Sequence, residues 1–367
     1  MGYFRDELVT RRGWLSDQAY ADLVALCQFL PGPASSQVGF ALGMMRAGWM
    51  GALAAFTAFT LPSALILLVF AMTAATVSGP IGVGALDGLK IVAVGIVAQA
   101  VWGMARNLCP DQERAGIAVA AVAILAFVPG AFGMVGAIGL GAIAGLVLGR
   151  GTAKQVGGHV TMPVRRWQAG LSLAAFGVLL VLLPLVASGS QTLQVIDGFY
   201  RSGALVFGGG HVVLPLLQAE TVASGWLTPD TFLAGYGAAQ AVPGPLFTFA
   251  AYLGAALGPE PNGSVGAAIA LIAIFLPGFL ILLGVLPFWD QFRTMATAQS
   301  LMQGANAAVV GVLGSALYSP VFTSAIGDMR DFTLALLCFV LLVIWKMPPW
   351  MIVIVGALGG VGLSLAI

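Results

Sequence analysis

Apolar runs long enough to cross a lipid bilayer recur along the whole chain, separated by short polar segments. A membrane-spanning helix needs about 20 mostly apolar residues, and many of these runs reach that length. Two further runs, 19–45 and 232–257, are interrupted in the middle by proline and glycine. Uninterrupted helical spans are predicted at 50–73, 85–105, 169–187, 193–217, 265–288, 298–318, 332–345 and 350–367, and a helical pair at 115–128 and 131–149.

The two interrupted runs share a motif. Gln28-Phe29-Leu30-Pro31-Gly32-Pro33 returns as Gln240-Ala241-Val242-Pro243-Gly244-Pro245 after 212 positions (240 − 28). The neighbouring sequence repeats at similar offsets, which indicates an internal duplication. Its further matches are Gly13-Trp14-Leu15 with Gly225-Trp226-Leu227, Leu61-Pro62 with Leu276-Pro277, and Gly88 and Gly95 with Gly304 and Gly311.

Pro-Gly-Pro inside an apolar run breaks one helix and starts another. The first proline lacks an N–H donor and clashes with the preceding turn, glycine reaches backbone angles closed to other residues, and the second proline suits the first position of a helix. In a bilayer, broken backbone is stable only where protein or water covers it, and discontinuous helices often form the binding sites of transporters. Both breaks are therefore predicted to belong to a binding site.

The predicted fold class is an all-α integral membrane protein with about 11–12 transmembrane or re-entrant segments. We place a first repeat at 1–149, a basic linker with one connecting helix at 150–190, and a second repeat at 191–367. The second repeat opens with the glycine-rich span 193–217, whose counterpart in the first repeat would precede residue 1 (211 − 212 = −1). We therefore expect the first repeat to lack this lead helix.

Composition supports a membrane protein and narrows its role. Hydrophobic residues make up 59% of the chain and charged residues 8%, whereas soluble domains carry about 25% charged residues. The high apolar content makes the lipid bilayer the expected partner. The net charge of +1 and the lack of a basic tail give no indication of binding to nucleic acid. The distant Cys27, Cys109 and Cys338 predict no disulfide framework, metal or cofactor site. Residues 1–14 are predicted to lie at the membrane interface and not to be a signal peptide.

Orientation is predicted from the tendency of Lys and Arg to stay on the cytoplasmic side. This tendency places the linker and the loop at 106–114 in the cytoplasm. If each Pro-Gly-Pro element is a re-entrant hairpin, Arg46 and the N-terminal arginines are also cytoplasmic and the repeats run parallel, with Arg293 and Lys346 outside. If each element crosses the membrane once, the repeats are inverted, and Arg330 lies outside with the N-terminal arginines. The charge count favours parallel repeats.

Several stretches together resemble the chromate ion transporter (CHR) family in its long, two-domain form. They are residues 4–14 leading into the first Pro-Gly-Pro, residues 207–215 with Gly208-Gly209-Gly210-His211, and residues 235–249 around the second Pro-Gly-Pro. The resemblance covers nearly the whole chain. It implies a bacterial inner-membrane exporter of chromate linked to chromate resistance, with oppositely oriented repeats. It also implies a first helix ending in a Gly-Gly and His motif, which Gly157-Gly158-His159 in the linker matches only by coincidence.

The resemblance makes a tetrahedral dianion the expected substrate, which requires N–H and O–H donors and some positive charge. A helix restarted at Pro33 or Pro245 leaves its first N–H groups unpaired and turns its positive dipole end toward the break. The alternative is that Pro-Gly-Pro only kinks a helix for packing, but the duplication with a preceding Gln favours a site. Predicted substrate-binding residues are Gln28, Pro31, Gly32, Pro33, Ser35, Ser36, Gln240, Pro243, Gly244, Pro245 and Thr248, with Gln37 as a further donor.

Charged residues inside apolar spans are further candidates, because they are costly in a bilayer and usually functional. Lys90 either attracts the anion or pairs with Asp87. Arg201 and His211 are about 15 Å apart at helical rise, so both reach one anion only if the glycine run between them bends. His211 either binds the anion, carries protons or bonds a neighbour. Glu7 and Glu220, each before a Gly-Trp pair, are proton-coupling candidates or interfacial acids.

With what the resemblance implies, the prediction is a secondary transporter that exports chromate across the bacterial inner membrane by alternating access, driven by membrane potential or a proton gradient. Sulfate or a related oxyanion is the alternative substrate, and a passive anion channel is the alternative mechanism. No motif places the dyad of an intramembrane protease, so an enzyme is not expected. A homodimer is a possible assembly.

Overall fold

The computed structural model describes residues 2–74, 76–149, 164–207, 209–292 and 294–366. These residues form helices and connecting turns, with no strand among them. Six of the helices are long and apolar enough to span a membrane. The predicted class, an all-α integral membrane protein, is confirmed.

The longest helix of the first half, α3 (Ala34–Ala74), contains a sharp bend. α3 bends at Gly48, where φ is +61°, and its parts before and after the bend, 34–46 and 49–74, are named its first and second segments. The helices are α1 (Gly2–Arg5) with a π-helical turn (Asp6–Arg11), α2 (Asp17–Phe29), α3 (Ala34–Ala74), α4 (Gly79–Leu108), α5 (Gln112–Phe127) and α6 (Ala131–Leu148).

The second half begins after the linker, of which 150–163 lies outside the described residues. For that reason the proposed repeat boundaries, 1–149, 150–190 and 191–367, stay predictions. The helices are α7 (Arg166–Val186), α8 (Gln191–Ala204), α9 (Val213–Thr221), α10 (Pro229–Ala239), α11 (Phe249–Ala256), α12 (Gly263–Val285), α13 (Trp289–Phe292), α14 (Ala296–Ala316), α15 (Thr323–Ala325), α16 (Met329–Val343) and α17 (Pro349–Leu365).

The predicted span 193–217 is wrong as a single helix. α8 ends at Ala204, the chain turns around Gly209, where φ is +154°, and α9 returns beside α8. Arg201 of α8 and Glu220 of α9 form an ion pair at 3.2 Å. The turn falls in the glycine run, whose freedom of backbone angle permits the reversal; Gly208 itself lies outside the described residues. We name the α8–α9 pair hairpin B.

Each Pro-Gly-Pro element is also a hairpin, because its two ends lie together. Hairpin A is α2 with the first segment of α3, and the Arg46 guanidinium after it stacks at 5.4 Å over the Trp14 ring before it. Hairpin C is α10 with α11, and the Gly258 N–H after it donates to the Trp226 carbonyl before it at 3.0 Å. Both pairs occupy equivalent positions (226 − 14 and 258 − 46 are 212). Neither element crosses the molecule.

Equivalent helices of the two halves run antiparallel. Phe56, near the start of the second segment of α3, packs against Phe279, late in α12. Farther along α3, Ala64 shares an apolar cluster with Ala267, early in α12. The prediction of parallel repeats, which came from the charge count, is therefore wrong. That count assumed that 193–217 crosses the membrane as one helix. With hairpin B in its place, re-entrant Pro-Gly-Pro elements and inverted repeats occur together.

Glycines interlock the two halves at equivalent positions. Gly88 of α4 lies against Gly356 of α17, and Gly304 of α14 lies against Gly141 of α6. The pairs correspond at offsets of 216 and 215 (304 − 88 and 356 − 141). Small residues let helix backbones approach closely in a bilayer. The final helices of each half thus complete the packing of the other half.

Tracing the helices from hairpin A assigns each loop to a face. We name the face that holds the N-terminal segment the N-terminal face. Hairpin A enters from it, whereas hairpins B and C enter from the opposite face, after α7 has crossed. Among the described residues, Arg330 is the basic residue at a helix end on the opposite face, whereas Lys90 and Arg201 lie within helices that begin there. The N-terminal face holds Arg5, Arg11, Arg12, Arg46, Arg106, Arg114, Arg165, Arg166 and Lys346.

Candidate functional site

The tips of the three hairpins meet inside the molecule. The Gly32 N–H, in the tip of hairpin A, donates to the Val206 carbonyl in the tip of hairpin B at 2.8 Å. Gly210 of hairpin B lies against Leu246, which follows Pro245 in the tip of hairpin C. The structure therefore brings both Pro-Gly-Pro motifs and the Gly-His motif together, although 212 positions separate the two breaks (240 − 28).

A cavity of about 860 Å³ leads from the N-terminal face to the tips of hairpins A and B. At its outer end it is lined by Asn107 of α4 and by Trp289, just after α12. At its inner end it is lined by Gly32 and His211. Its polar lining residues are Asp22, Gln28, Gln99, Asn107, His211, Gln299 and Asn306.

The first break has the geometry expected of a restarted helix. α2 ends at Phe29, Gly32 takes a φ of +113°, and α3 begins at Ala34 directly after Pro33. The first N–H groups of a helix lack partners within it, and Ala34 lines the cavity. The Ser36 hydroxyl is buried and has no hydrogen-bond partner among the described residues. This tip therefore offers donors beside the cavity.

The second break differs in detail from the first. Gly244 takes a φ of +147°, but the chain restarts as a short 3-10 turn, Leu246–Thr248, before α11. The buried Thr248 hydroxyl donates to the Pro245 carbonyl at 2.8 Å, so its proton is used within the tip. The Gln240 amide nitrogen is buried without a partner among the described residues. Its equivalent, Gln28, lines the cavity.

His211 joins the cavity to hairpin C. Its Nδ1 lies 2.7 Å from the Tyr236 hydroxyl of α10, and His211 also lines the cavity. An imidazole bonded to a phenol has its ring orientation fixed, with its other nitrogen left for a second partner. The structure thus shows one of the roles weighed for His211, a bond to a neighbour, and places the residue beside the cavity; anion binding and proton transfer stay predictions.

Arg201 lies in an acidic cluster within hairpin B. Its Nη2 contacts Asp197 Oδ2 at 2.6 Å and Glu220 Oε2 at 3.2 Å. Both carboxylates are largely buried, and the Arg201 Nε has no partner among the described residues. The chain does bend between Arg201 and His211, which was the condition for both to reach one anion, yet Arg201 is not among the residues that line the cavity.

Lys90 and Glu7 are both held in ion pairs away from the cavity lining. The Lys90 ammonium bonds Asp87 at 2.6 Å and Asp230 of hairpin C at 3.1 Å. Glu7, in the N-terminal segment, bonds Arg12 and Arg11 at 2.7 and 2.8 Å. These arginines, Arg12 first, hold the pKa of the Glu7 carboxyl below its ordinary value. Glu7 is therefore ionised at neutral pH.

Sequence reasoning missed several residues that line the cavity. Gln99 and Asn107 of α4 and Gln299 of α14 are amides within or beside apolar helices, and Asp22 is a buried carboxylate in α2. Asn306 of α14, at the position equivalent to Lys90 (306 − 90 = 216), also lines the cavity. Isolated polar residues in apolar spans were the available signal, but only the packed structure shows that they face one space. Among the described residues, no group of His, Cys, Asp and Glu is placed to hold a metal.

The sequence of the chain is similar to those of known transport proteins. The family model described as "Chromate transporter" matches residues 1–146 and 193–361. A "Probable chromate transport protein" of Synechococcus elongatus is 26% identical, with 98% of this chain and 89% of the relative covered. A "Chromate transport protein" of Pseudomonas aeruginosa is 27% identical, with 85% and 73% covered. Another of that name from Cupriavidus metallidurans is 25% identical, with 97% and 86% covered. No solved structure matches. This multi-pass membrane protein belongs to the chromate transporter family.

Proposed function

We propose that the chain is a secondary transporter that exports chromate from the cytoplasm across the bacterial inner membrane and so confers chromate resistance. The observation that carries the proposal is the cavity, which runs from the N-terminal face to the tips of hairpins A and B, with the tip of hairpin C packed against hairpin B. Nearly all described basic residues at helix ends lie on that face, and basic residues favour the cytoplasm. A cavity open to the cytoplasm loads substrate for export.

The tips supply the kind of groups that a tetrahedral dianion needs. We assign binding to the N–H groups that follow Pro33, to Gln28 and to His211, with Ser36 and Gln240 supplying buried donors that lack partners among the described residues. These groups carry at most partial positive charge. Neutral donors and a helix N-terminus hold an anion without the strong Coulomb attraction that would slow its release.

Membrane potential is the simplest driving force for this step. Moving one elementary charge across the membrane is worth about 2.3 kcal/mol per 100 mV, so an outward-moving dianion gains about twice that in a cell with a negative interior. For coupling to protons, Glu220 is the preferred carrier, because it lies in the buried cluster with Arg201 and Asp197. Glu7 is the weaker candidate, since two arginines keep it ionised.

Two alternatives share the same tips. Sulfate has the shape and charge of chromate and would use the same donors. A passive anion channel would use the same helix N-terminus without alternating access. The inverted helices and interlocked halves favour a transporter, because inverted repeats provide the two opposed states that alternating access requires.

The test is chromate uptake into everted membrane vesicles from cells that express the chain, since export appears there as uptake. We expect uptake that depends on an energised membrane and falls with excess sulfate. Vesicles without the chain give the background. Uptake that sulfate leaves unchanged would exclude a shared oxyanion site, and anion flow without any energy dependence would favour the channel. Equal uptake with and without the chain would refute the proposed function.

A further inference from the structure

We infer that Gln37 and Ser63 are positioning residues, each of which ties one Pro-Gly-Pro tip to a helix of the other half. The role in transport rests on the proposed function, whereas the contacts themselves do not. Both side chains are buried, with exposed fractions of 0% for Gln37 and 1% for Ser63.

Gln37 ties the tip of hairpin A to α12. Its Nε2 donates to the Pro31 carbonyl at 3.0 Å and to the Gly278 carbonyl of α12 at 2.8 Å. Gly278 follows Pro277, so the contact falls where proline interrupts the bonding of α12. One amide group thus bonds the first proline of the tip and the other half of the molecule.

Ser63 does the same for the tip of hairpin C. Its hydroxyl, on the second segment of α3, donates to the Pro243 carbonyl. Ser63 follows Pro62, as Gly278 follows Pro277 (278 − 63 = 215), and Pro243 is the counterpart of Pro31 (243 − 31 = 212). The carbonyl of the equivalent proline is therefore held at both tips.

The two halves use complementary residues for this contact. Where hairpin A has Gln37, hairpin C has Phe249 (249 − 37 = 212), and where α3 has Ser63, α12 has Gly278. Each tip thus receives a hydrogen bond from one polar side chain. At the tip of hairpin A the donor belongs to the same hairpin, and at the tip of hairpin C it belongs to the facing helix, α3. Because a buried carbonyl without a partner is costly, this exchange indicates that the carbonyl of the first proline must be satisfied at both tips.

These contacts link the candidate site to the relative position of the halves. The tips carry Gly32 and Gly244 and, beside them, the donors assigned to the anion. A shift of α12 moves the partner of the first tip, and a shift of α3 moves the partner of the second. Motion of one half against the other is thereby transmitted to the anion donors through Gln37 and Ser63.

The test measures hydrogen exchange of the tips by mass spectrometry in the purified full chain, together with oxyanion uptake in proteoliposomes. In Ser63→Ala we expect exchange at 240–249 to quicken by roughly two- to tenfold, the range that corresponds to the net free energy of one hydrogen bond, with exchange at 28–37 unchanged. Gln37→Leu should show the converse. Ser63→Thr, which keeps the hydroxyl, should restore both exchange and the maximal uptake rate.

Thr60→Val is the matched control. Thr60 lies one turn before Ser63 and is buried, but its hydroxyl has no partner among the described residues, so its loss should leave both tips unchanged. A second test replaces the contact of hairpin A with that of hairpin C: Gln37→Phe with Gly278→Ser should recover slow exchange at 28–37 relative to Gln37→Phe alone.

The outcomes separate the inference from the proposed function. If Ser63→Ala and Gln37→Leu exchange like Thr60→Val at their own tips, the inference is overturned. If each variant quickens exchange only at its own tip but keeps the maximal uptake rate of the wild type, the positioning role is overturned. If the wild type takes up no oxyanion while the variants still loosen their own tips, the contacts stand and the proposed function fails.

Discussion

Single glycines shape both tips of the candidate site. Gly32 and Gly244 take φ values of +113° and +147°, which other residues rarely adopt. Space is also lacking: a Cβ on Gly32 would lie 2.9 Å from the Gly278 Cα, and a Cβ on Gly244 would overlap the Ser63 hydroxyl. Backbone strain and close approach therefore both require glycine, and both close approaches are to the other half of the molecule.

Replacing either glycine should abolish transport and leave membrane insertion intact. Strain of this kind costs about 1–3 kcal/mol, so we expect Gly32→Leu and Gly244→Leu to reduce chromate uptake by more than about tenfold at equal protein in the membrane. Gly177→Leu in α7 is the control, because nothing lies within 4 Å of its added Cβ. Normal uptake by both tip variants would remove the tips from the site.

The acid cluster of hairpin B allows a residue-scale test of proton coupling. If Glu220 carries the proton, Glu220→Gln should flatten the dependence of chromate uptake on pH, whereas Glu7→Gln should keep it, since Arg12 and Arg11 hold Glu7 ionised. The measurement is the initial uptake rate across pH 5–8. The opposite pattern would assign coupling to Glu7, and two unchanged profiles would favour membrane potential alone.

At the scale of elements, short helices form hairpins where proline or glycine ends them, and long helices cross. Hairpin C shows the packing that keeps two short helices together: the Tyr252 hydroxyl donates to the Thr231 carbonyl at 3.0 Å, and the Tyr236 and Phe249 rings meet edge to face at 5.6 Å. The long helices contact one another at glycine residues. Because glycine has no side chain, the helix backbones approach closely there.

The glycine contact between α14 and α6 should be essential for stability. In Gly304→Ala the new methyl group would overlap the Gly141 carbonyl, and such overpacking costs about 1–3 kcal/mol. Gly314→Ala is the matched control on the same helix: nothing lies within 4 Å of its Cβ, and alanine in a helix interior gains about 0.5–1 kcal/mol over glycine. Thermal unfolding in detergent should shift down for the first variant and not for the second. Equal shifts would argue against close packing at Gly304.

At the scale of the whole molecule, the halves interlock in opposite directions. α4 packs with α16 and α17, and α14 packs with α5 and α6, so neither half has a complete helix layer by itself. The hairpins from both faces then meet at the centre. This arrangement explains how residues far apart in sequence line one cavity.

The topology can be tested by thiol labelling with an impermeant maleimide in whole cells. In a Cys109→Ser background, where Cys27 and Cys338 are buried, Arg330→Cys should be labelled from outside. Lys346→Cys and Arg46→Cys should be labelled only after permeabilisation, because they lie on the N-terminal face. External labelling of Lys346→Cys alone would restore the parallel arrangement, whereas external labelling of both Lys346→Cys and Arg46→Cys would place the mouth of the cavity outside the cell.

Much of the architecture follows from the sequence alone. Apolar runs give the helices because bilayer thickness fixes their length, and proline and glycine give the breaks because they act on the local backbone. The duplication identified equivalent positions, including Gly88 and Gly304, before their contacts were known. These features depend only on residues that are close together in the sequence or on the repeat itself.

Tertiary structure decided what depends on partners distant in the chain. The reversal of hairpin B, and with it the inversion of the halves, required packing of α8 against α9 and α12. The amides of α4 and α14 gained a shared cavity, while Lys90 and Arg201 were directed into ion pairs with Asp230 and Glu220. The physical reason is that burial and electrostatic pairing depend on which groups the fold brings within a few ångströms of one another, and sequence spacing carries no such distance across 212 positions (240 − 28).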